Sequence, residues 1–381
     1  MLESKELLDG SEYYSSTNSD IDQTEDESII QPFDPELIRV DTRPMTIDLL
    51  LQRIRYNELD LAPDFQRGQV WNNRNKSRLI ESLLIRIPLP SFYMDATSDE
   101  DKWVVIDGLQ RLTTLKLFVS DNTLRLSELE FLIHLNGKCF EDLSRNLQRR
   151  IIETQVTVYL IAKGTPNEVK FNIFKRINTG GEPLSLQEVR HALNQGNSTQ
   201  FLKDLSELPE FKEATDGSVK NLRMVDREFV LRFLAFSIHH YSEYNSKEFD
   251  SFLSDTMAEI NKMEEKLLNN LKEKFIKAMN AASKIFQKDA FRKRYDENAA
   301  RSPVNKALFE SWAVNLGNLD LMDIEVLVDN KEQLKAQFIK LMNDSTSEPT
   351  FISAISQATG DVRNVKRRFS AIEKLIGEII K

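Results

Sequence analysis

The chain has 381 residues, of which 40% are hydrophobic and 29% are charged, a composition typical of a soluble globular protein. It has no apolar run near the roughly 20 residues that a membrane span needs, and its N-terminus lacks the basic and apolar regions of a signal peptide. The single cysteine, Cys139, excludes an intrachain disulfide framework. We therefore expect a cytoplasmic protein that makes no contact with a membrane.

The net charge of −9 is concentrated at the N-terminus. Residues 1–31 contain nine acidic residues and one lysine, so the rest of the chain is close to neutral. The acidic balance thus neither supports nor excludes a nucleic-acid partner. The abundance of Ser, Asp and Glu in residues 1–31 predicts a disordered tail. This tail either keeps the protein soluble or competes with nucleic acid for a basic groove.

Helices and short strands are predicted to alternate between Pro32 and about residue 195. Two of the helices have clear N-caps, Thr46 for the first and Asn72 or Asn73 for the second. Strands are indicated by runs of β-branched and aromatic residues. The predicted strands are residues 91–98, 102–107 and 155–162, and the first two form a hairpin.

From Ser185 onward the sequence shows only helical periodicity. A helix begins at Ser185, and its Glu188 and Arg190 either join a polar pocket or form surface ion pairs. No convincing strand follows residue 195. The predicted fold class is therefore α+β, with a small mixed-sheet domain followed by an all-α domain. The predicted segments are the tail, 1–31, the sheet domain, 32–195, and the helical domain, 196–381.

Residues 104–118, VVIDGLQRLTTLKLF, predict a strand, a tight turn at Asp107-Gly108 and a helix. Such a turn leaves backbone N–H groups unpaired at the positive end of the helix dipole, which favours a bound phosphate. Gly108 would admit the phosphate, Arg111 would bind its oxygens, and Asp107 would hold Mg²⁺ or orient a water. A ligand-free alternative is equally simple. Asp107 and Gln110 would form a capping box, or Asp107 would pair with Arg111.

Two other polar loops are candidates to face this turn. Gln66 and Arg67 follow an extended segment bounded by proline, although an ordinary exposed arginine would look the same. Asn178, Thr179 and Gly180 lie at the end of a predicted helix, where a glycine C-cap alone would explain them.

Several catalytic motifs are absent from the sequence. The four histidines and one cysteine lack the spacing of a zinc site, and there is no P-loop, serine-hydrolase elbow or His-Asn-His nuclease pattern. The best candidates for contacts with nucleic-acid phosphates are Arg363, Lys366, Arg367 and Arg368. A solvated helix face is the simpler explanation of this basic run.

Three blocks of sequence resemble the N-terminal domain of GmrSD-type modification-dependent restriction enzymes. They cover parts of residues 40–195 and read PDFQRGQVWNNRNKSRLIESLLIRIPLPSFYM, VVIDGLQRLTTL and FKRINTGGEPLSLQEVRHAL. Weaker similarities to stand-alone members follow in RMVDREFVLRFLAF, SPVNKALFESW and ATGDVRNVKRRF. The resemblance implies a ParB/sulfiredoxin-like fold that, as in the restriction enzymes, binds and hydrolyses a nucleoside triphosphate and regulates a His-Asn-His-type nuclease.

The resemblance also implies roles for individual residues. Asp107, Gln110 and Arg111 would be catalytic, and Gly108 would contact the nucleotide together with Arg111 and Gln66-Arg67. The Asn178–Gly180 loop would close one side of the site. Further partners would be DNA, an effector protein or a second copy of the chain.

Two departures from the family pattern matter. Leu109 stands where the usual turn has Gln. If that position touches the ligand, Leu109 argues against hydrolysis, and if it faces the core, it is harmless. No nuclease half is recognisable, so we expect a stand-alone member without DNA cleavage. Two functions stay open: a nucleotide-binding protein, with or without hydrolysis, in nucleic-acid metabolism or phage defence, or a non-enzymatic DNA- or protein-binding regulator.

The acidic tail gives a first test. If residues 1–31 compete with DNA, their deletion should tighten DNA binding and increase its dependence on salt, because phosphate contacts release counterions. Fluorescence anisotropy at two salt concentrations would measure this. Unchanged binding would identify the tail as a solubiliser.

Overall fold

The computed structural model describes Ile21 and residues 39–61, 71–96, 102–161, 165, 173, 185–245, 248–298 and 300–381. These residues form two compact units. The sheet unit contains those between Gln31 and Gln195 together with Leu222–Met224. The helical unit contains Ile21, Gly196–Asn221 and the described residues of Val225–Lys381.

Strands and helices alternate in the sheet unit, as the sequence predicts. A π-helical turn, Lys116–Ser120, extends the third helix. The strands are β1 (Val40–Thr46), β2 (Leu59–Asp60), β3 (Phe92–Asp95), β4 (Trp103–Asp107) and β5 (Gln155–Ile161). The helices are α1 (Ile47–Arg55), α2 (Asn73–Leu84), α3 (Leu109–Leu115), α4 (Arg145–Ile152) and α5 (Leu186–Leu193).

The five strands form one mixed sheet in the order β1-β5-β3-β4-β2. The β1–β5 and β3–β4 pairs are antiparallel, whereas β5–β3 and β4–β2 are parallel. One face of the sheet packs against the larger apolar core of the unit, to which Val158 and Leu160 contribute. Ile161 and Ile106 point to the opposite face, where they pack with Val189 of α5. The predicted α+β class and the β3–β4 hairpin are thus confirmed.

Side-chain caps fix where the helices of this unit begin. The Thr46 hydroxyl accepts a hydrogen bond from the Leu49 N–H at 3.2 Å, and Asn72 caps α2 in the same way. Ser185 and Glu188 form a complete capping box at α5. Because each cap satisfies a backbone donor that the helix itself cannot, these residues determine the first turn. The sequence identified all three starting points.

A buried carboxylate holds the loop that follows α3. Glu81 of α2 accepts hydrogen bonds of 2.8–3.0 Å from the backbone N–H groups of Glu130, Phe131 and Leu132. Burial raises the pKa of Glu81, but the three backbone donors and Arg78 outweigh that effect and hold the pKa below its ordinary value. The loop is therefore fixed by an ionised group and not by regular secondary structure.

The helical unit contains ten α-helices and one 3-10 turn, Gln287–Asp289, among its described residues, which form isolated β-bridges but no strand. Within the described chain, no helix combines the length and the apolar character that crossing a bilayer requires. The helices are α6 (Asn197–Glu207), α7 (Pro209–Ala214), α8 (Val225–Ile238), α9 (Phe249–Ile260), α10 (Glu265–Phe286), α11 (Lys306–Asn318), α12 (Leu321–Asp329), α13 (Lys331–Met342), α14 (Phe351–Ser356) and α15 (Val362–Ile380).

A buried ionic network joins three of these helices. Glu310 of α11 is completely buried and accepts hydrogen bonds from Arg368 of α15 at 2.9 Å and from Arg232 of α8 at 3.3 Å. Arg232 also donates to Glu228 at 3.0 Å, and Glu228 accepts from Lys306. The segments RMVDREFVLRFLAF, SPVNKALFESW and ATGDVRNVKRRF each contribute residues to this network.

This network corrects one sequence prediction. Arg368 was expected to contact nucleic-acid phosphates, but its side chain is inaccessible to solvent and its charge is neutralised by Glu310. Its remaining donors are directed to the carbonyl oxygens of Ala354 and Thr359. Arg368 therefore organises the helical core.

The network predicts a large effect of one isosteric substitution. Glu310→Gln removes the counter-charge of the buried Arg368 and leaves Arg232 with Glu228 alone. It should lower the free energy of unfolding of the helical unit by about 3–5 kcal/mol. Urea unfolding followed by circular dichroism would measure it. The matched control is Glu332→Gln, because Glu332 forms an exposed pair with Lys335 that contributes only about 0–1 kcal/mol. Equal costs for the two variants would contradict a structural role for the network.

Candidate functional site

The turn between β4 and α3 is built on Gly108. Asp107 is the last residue of β4, and Gly108 follows with a φ of +100°, in the left-handed region. A Cβ at this position would overlap the Phe92 ring, lying 2.9 Å from Cε1 and closer still to Cδ1. Gly108 is thus required both by the backbone conformation and by the close approach of Phe92.

The expected capping box is not formed at α3. Gly108 is itself the N-cap residue, and no side chain caps this helix end. The Asp107 carboxylate instead accepts a hydrogen bond of 2.7 Å from the Arg111 guanidinium, four residues later. The alternative in which Asp107 pairs with Arg111 is therefore correct.

Arg111 ties the turn to the strand beside it. Besides Asp107, its guanidinium donates to the carbonyl oxygens of Pro90 and, at 3.1 Å, Ser91, at the start of β3. Its guanidinium carbon also lies 4.5 Å from the centre of the Phe92 ring. Burial lowers the pKa of Arg111, and the neighbouring Asp107 carboxylate opposes that shift.

These contacts change the role expected of Arg111. Its side chain is buried, and three of its N–H groups are directed at protein oxygens. A guanidinium held in this way positions the turn and does not project as a phosphate clamp. We therefore expect alanine at this position to destabilise the turn, because three hydrogen bonds to protein oxygens would be lost.

A shift in the β3–β4 register orients Asp107. Tyr93 is paired with Asp107, but the next residue, Met94, is paired with Val105, so Ile106 is the extra residue of a bulge. Asp107 therefore lies opposite Tyr93, whose ring stacks on Tyr159 of β5 at 4.9 Å. Burial raises the pKa of the Tyr93 hydroxyl, and Tyr159 and the Asp107 carboxylate raise it further. The two tyrosines were missed by the sequence analysis, which treated them only as strand residues.

Leu109 is buried in the apolar core of the sheet unit. Position 109 therefore faces the core, and leucine in place of the family's Gln is no argument against hydrolysis. The neighbouring Gln110 is partly exposed, and its carbonyl oxygen accepts a hydrogen bond from the Thr114 hydroxyl at 2.7 Å. Leu109 in place of Gln is thus compatible with the conformation of the turn.

The other predicted nucleotide contacts, Gln66, Arg67, Asn178, Thr179 and Gly180, lie outside the described residues. Just beyond them, Glu188 and Arg190 do not form the surface ion pairs that were one of the two alternatives, because both side chains are buried. Glu188 caps α5 and accepts a hydrogen bond from Arg223 at 3.1 Å, while Arg190 donates to Gln187.

A protein-only metal cage is not found in the described part of the chain, where no group of three or more His, Cys, Asp and Glu side chains is arranged to hold an ion. Magnesium ions in nucleotide sites typically use one or two carboxylates together with phosphate oxygens. Asp107, whose side chain is one-third exposed, fits that smaller requirement.

The remaining predicted nucleic-acid contacts lie on α15. Arg363 is the most accessible, with 84% of its side chain exposed and Asp361 at 3.4 Å. Arg367 is partly buried and donates to the Ser347 hydroxyl at 2.5 Å, with Asp344 at 3.9 Å. Lys366 is partly exposed. Three of the four predicted cations therefore reach the surface of the helix.

The sheet unit is an α+β domain that presents an Asp-Gly turn between a strand and a helix. The family model described as the GmrSD restriction endonuclease, N-terminal domain, matches residues 47–194. The chain therefore carries a domain of the GmrSD N-terminal family. Comparison with curated proteins finds no match.

Two glycines provide a matched test of the turn. Gly108 and Gly137 both have positive φ, but an added Cβ meets Phe92 only at Gly108 and open space at Gly137. Gly137→Ala should cost about 1–2 kcal/mol from backbone strain alone. Gly108→Ala should cost about 1–3 kcal/mol more, because the core must also accommodate the methyl group. Thermal and urea unfolding would measure both, and equal costs would contradict the close packing of Phe92 on the turn.

Proposed function

We propose that the sheet unit binds a nucleoside triphosphate at the Asp107–Arg111 turn, as a nucleotide-dependent component of a restriction-related system. The observation that carries this proposal is the fixed conformation of the turn in a domain of the GmrSD N-terminal family. The buried guanidinium of Arg111 binds the Asp107 carboxylate, which is partly exposed. The carboxylate and the start of α3 are therefore preorganised before any ligand binds.

Each residue then has a distinct role. The phosphates contact the backbone N–H groups that follow Gly108, whose missing side chain allows close approach. Asp107 is the single protein carboxylate for a phosphate-bound Mg²⁺, or the group that orients a water. Gln110 contributes a polar side chain from the first turn of α3. Arg111 is a positioning residue in this proposal, because its donors are directed at Pro90, Ser91 and Asp107.

The non-enzymatic alternative is a DNA- or protein-binding regulator that keeps this fold without turnover. The burial of Leu109 removes one argument for it, because that position faces the core. The accessible cations on α15 support a version that binds DNA. Phosphate release separates the alternatives: we expect hydrolysis that DNA stimulates if the protein is an NTPase, and no release if it is only a regulator.

A thermal-shift panel of the four nucleoside triphosphates, each with and without Mg²⁺, would test nucleotide binding on the full chain. A ligand at 100 times its Kd should stabilise the protein by about 2.7 kcal/mol, which corresponds to a shift of several degrees. Asp107→Asn should abolish the dependence on Mg²⁺, and Gln110→Ala should weaken affinity about tenfold, as expected for one polar contact.

The matched control is Thr113→Ala, which alters a partly exposed residue one turn further along α3. It should leave both affinity and Mg²⁺ dependence unchanged. Isothermal titration of the folded wild-type chain decides the matter: if no nucleoside triphosphate binds, the proposed site is refuted.

A further inference from the structure

The outer edge of β1 is exposed. β1 lies at one end of the sheet, where β5 is its one neighbour among the described strands. The strand is seven residues long, and every residue from Val40 to Pro44 is exposed. The strand at the other end of the sheet, β2, has only two residues. Proteins commonly cover or shorten such an edge, because its unpaired backbone groups can accept another strand. The edge of β1 therefore offers a place for a partner strand.

The pairing of β1 with β5 identifies the backbone groups on this edge. Just after β1, the Ile47 N–H donates to the Thr154 carbonyl oxygen at 3.1 Å, in the same register as the strand pair. Hydrogen-bonded and non-hydrogen-bonded pairs alternate along antiparallel strands, so every second residue counted back from Ile47 bonds to β5. The residues of β1 whose backbone groups are directed away from β5 are Val40, Thr42, Pro44 and Thr46. Pro44, which has no N–H to donate, thus lies where β5 does not need one.

Two charged side chains select how copies of β1 can pair. The side chains of Asp41 and Arg43 are 59% and 49% exposed, and their carboxylate and guanidinium are 3.5 Å apart on one face of the strand. In an antiparallel pair of β1 strands centred on Thr42, Asp41 of each copy lies opposite Arg43 of the other. Centring the pair on Asp41 or on Arg43 instead places like charges opposite each other, which is destabilising. Of these three registers, the one centred on Thr42 alone brings opposite charges together.

The same register uses the outward-directed backbone groups. The two Thr42 residues exchange both N–H···O=C bonds, and each Val40 N–H donates to the Pro44 carbonyl oxygen of the other copy. In the register centred on Arg43, Thr42 would instead lie opposite Pro44, which cannot donate. Proline and charged residues on an edge strand normally prevent unselective strand addition. In β1 they disfavour the neighbouring registers and are compatible with the one centred on Thr42.

We infer that β1 is an interaction surface for a second copy of this chain, and that two copies pair antiparallel about Thr42 to join their sheets into one. A two-fold axis at Thr42 makes the surface of each copy complementary to itself, as in other isologous dimers. Because only a few residues of each strand meet, the interface is small and the dimer forms at high protein concentration. The Asp107–Arg111 turn lies on the far side of β5 and β3, so this pairing is independent of nucleotide binding.

Sedimentation equilibrium of the full chain from about 5 to 500 µM, where small interfaces associate, should show a dimer that grows with concentration. Asp41→Arg and Arg43→Asp each place like charges opposite each other, and each should weaken dimerisation about 10- to 100-fold. An equal mixture of these two variants should restore the dimer, because every contact then joins opposite charges again. The matched control is Glu325→Arg, which reverses the charge of an exposed residue of α12 and should dimerise as the wild type does.

A second pair of variants tests the backbone contact. Thr42→Pro removes the N–H at the centre of the pairing, which β5 does not use, and Pro44 shows that β1 accommodates proline on this side. It should abolish dimerisation, whereas Thr42→Ala keeps the N–H and should dimerise as the wild type does. Thermal unfolding would verify that each monomer is folded.

Four outcomes would overturn the assignment of β1 as a dimer interface. The first is a wild-type chain that stays monomeric over the whole concentration range. The second is an Asp41→Arg variant that dimerises as strongly as the wild type. The third is a mixture of Asp41→Arg and Arg43→Asp that stays monomeric although both are folded. The fourth is equal dimerisation of Thr42→Pro and Thr42→Ala.

Discussion

The hydrogen bonds of Arg111 are the interaction on which the sheet unit most depends. One guanidinium joins the start of β3, the end of β4 and the first turn of α3, and it does so from a buried position. Removing it would take this donor from the carbonyl oxygens of Pro90 and Ser91, just before β3, which is costly wherever water cannot replace it. Together with the bulge at Ile106, these hydrogen bonds fix the orientation of Asp107. The residue that looks most like a ligand-binding group is therefore the one that shapes the site for others.

Buried arginines also organise the packing of the helical unit, where they join three helices. Glu310 compensates two buried arginines, and Glu228 links one of them to Lys306 at the start of α11. Because a buried charge without a partner is strongly destabilising, such a network disfavours any packing of α8, α11 and α15 that separates these charges. In both units, arginines in polar sequence motifs serve the fold first. A basic residue in a recognisable motif thus becomes a candidate ligand contact only after its internal partners are known.

Local signals in the sequence were sufficient for much of the sheet unit. Thr46, Asn72 and Ser185 mark helix starts because a cap is a local interaction. The strand β1 was missed because it is an edge strand that contains Pro44 and is largely exposed, so it lacks the alternating pattern of a half-buried strand. The burial of Arg368 and the inward direction of Arg111 depend on partners 58 and 20–21 residues away, and no local pattern encodes such pairings.

The order of strands in the sheet has a consequence for synthesis of the chain. β5 forms hydrogen bonds with both β1 and β3, yet it is the last of the described strands to leave the ribosome. Until residue 161 has emerged, β1 has no neighbour and β3 keeps an open edge, because the missing strand lies between them. Long-range pairing of this kind is slow, and unpaired edges attract other chains. The sheet therefore closes in a single late step, and the nascent chain is most exposed to misassociation just before β5 appears.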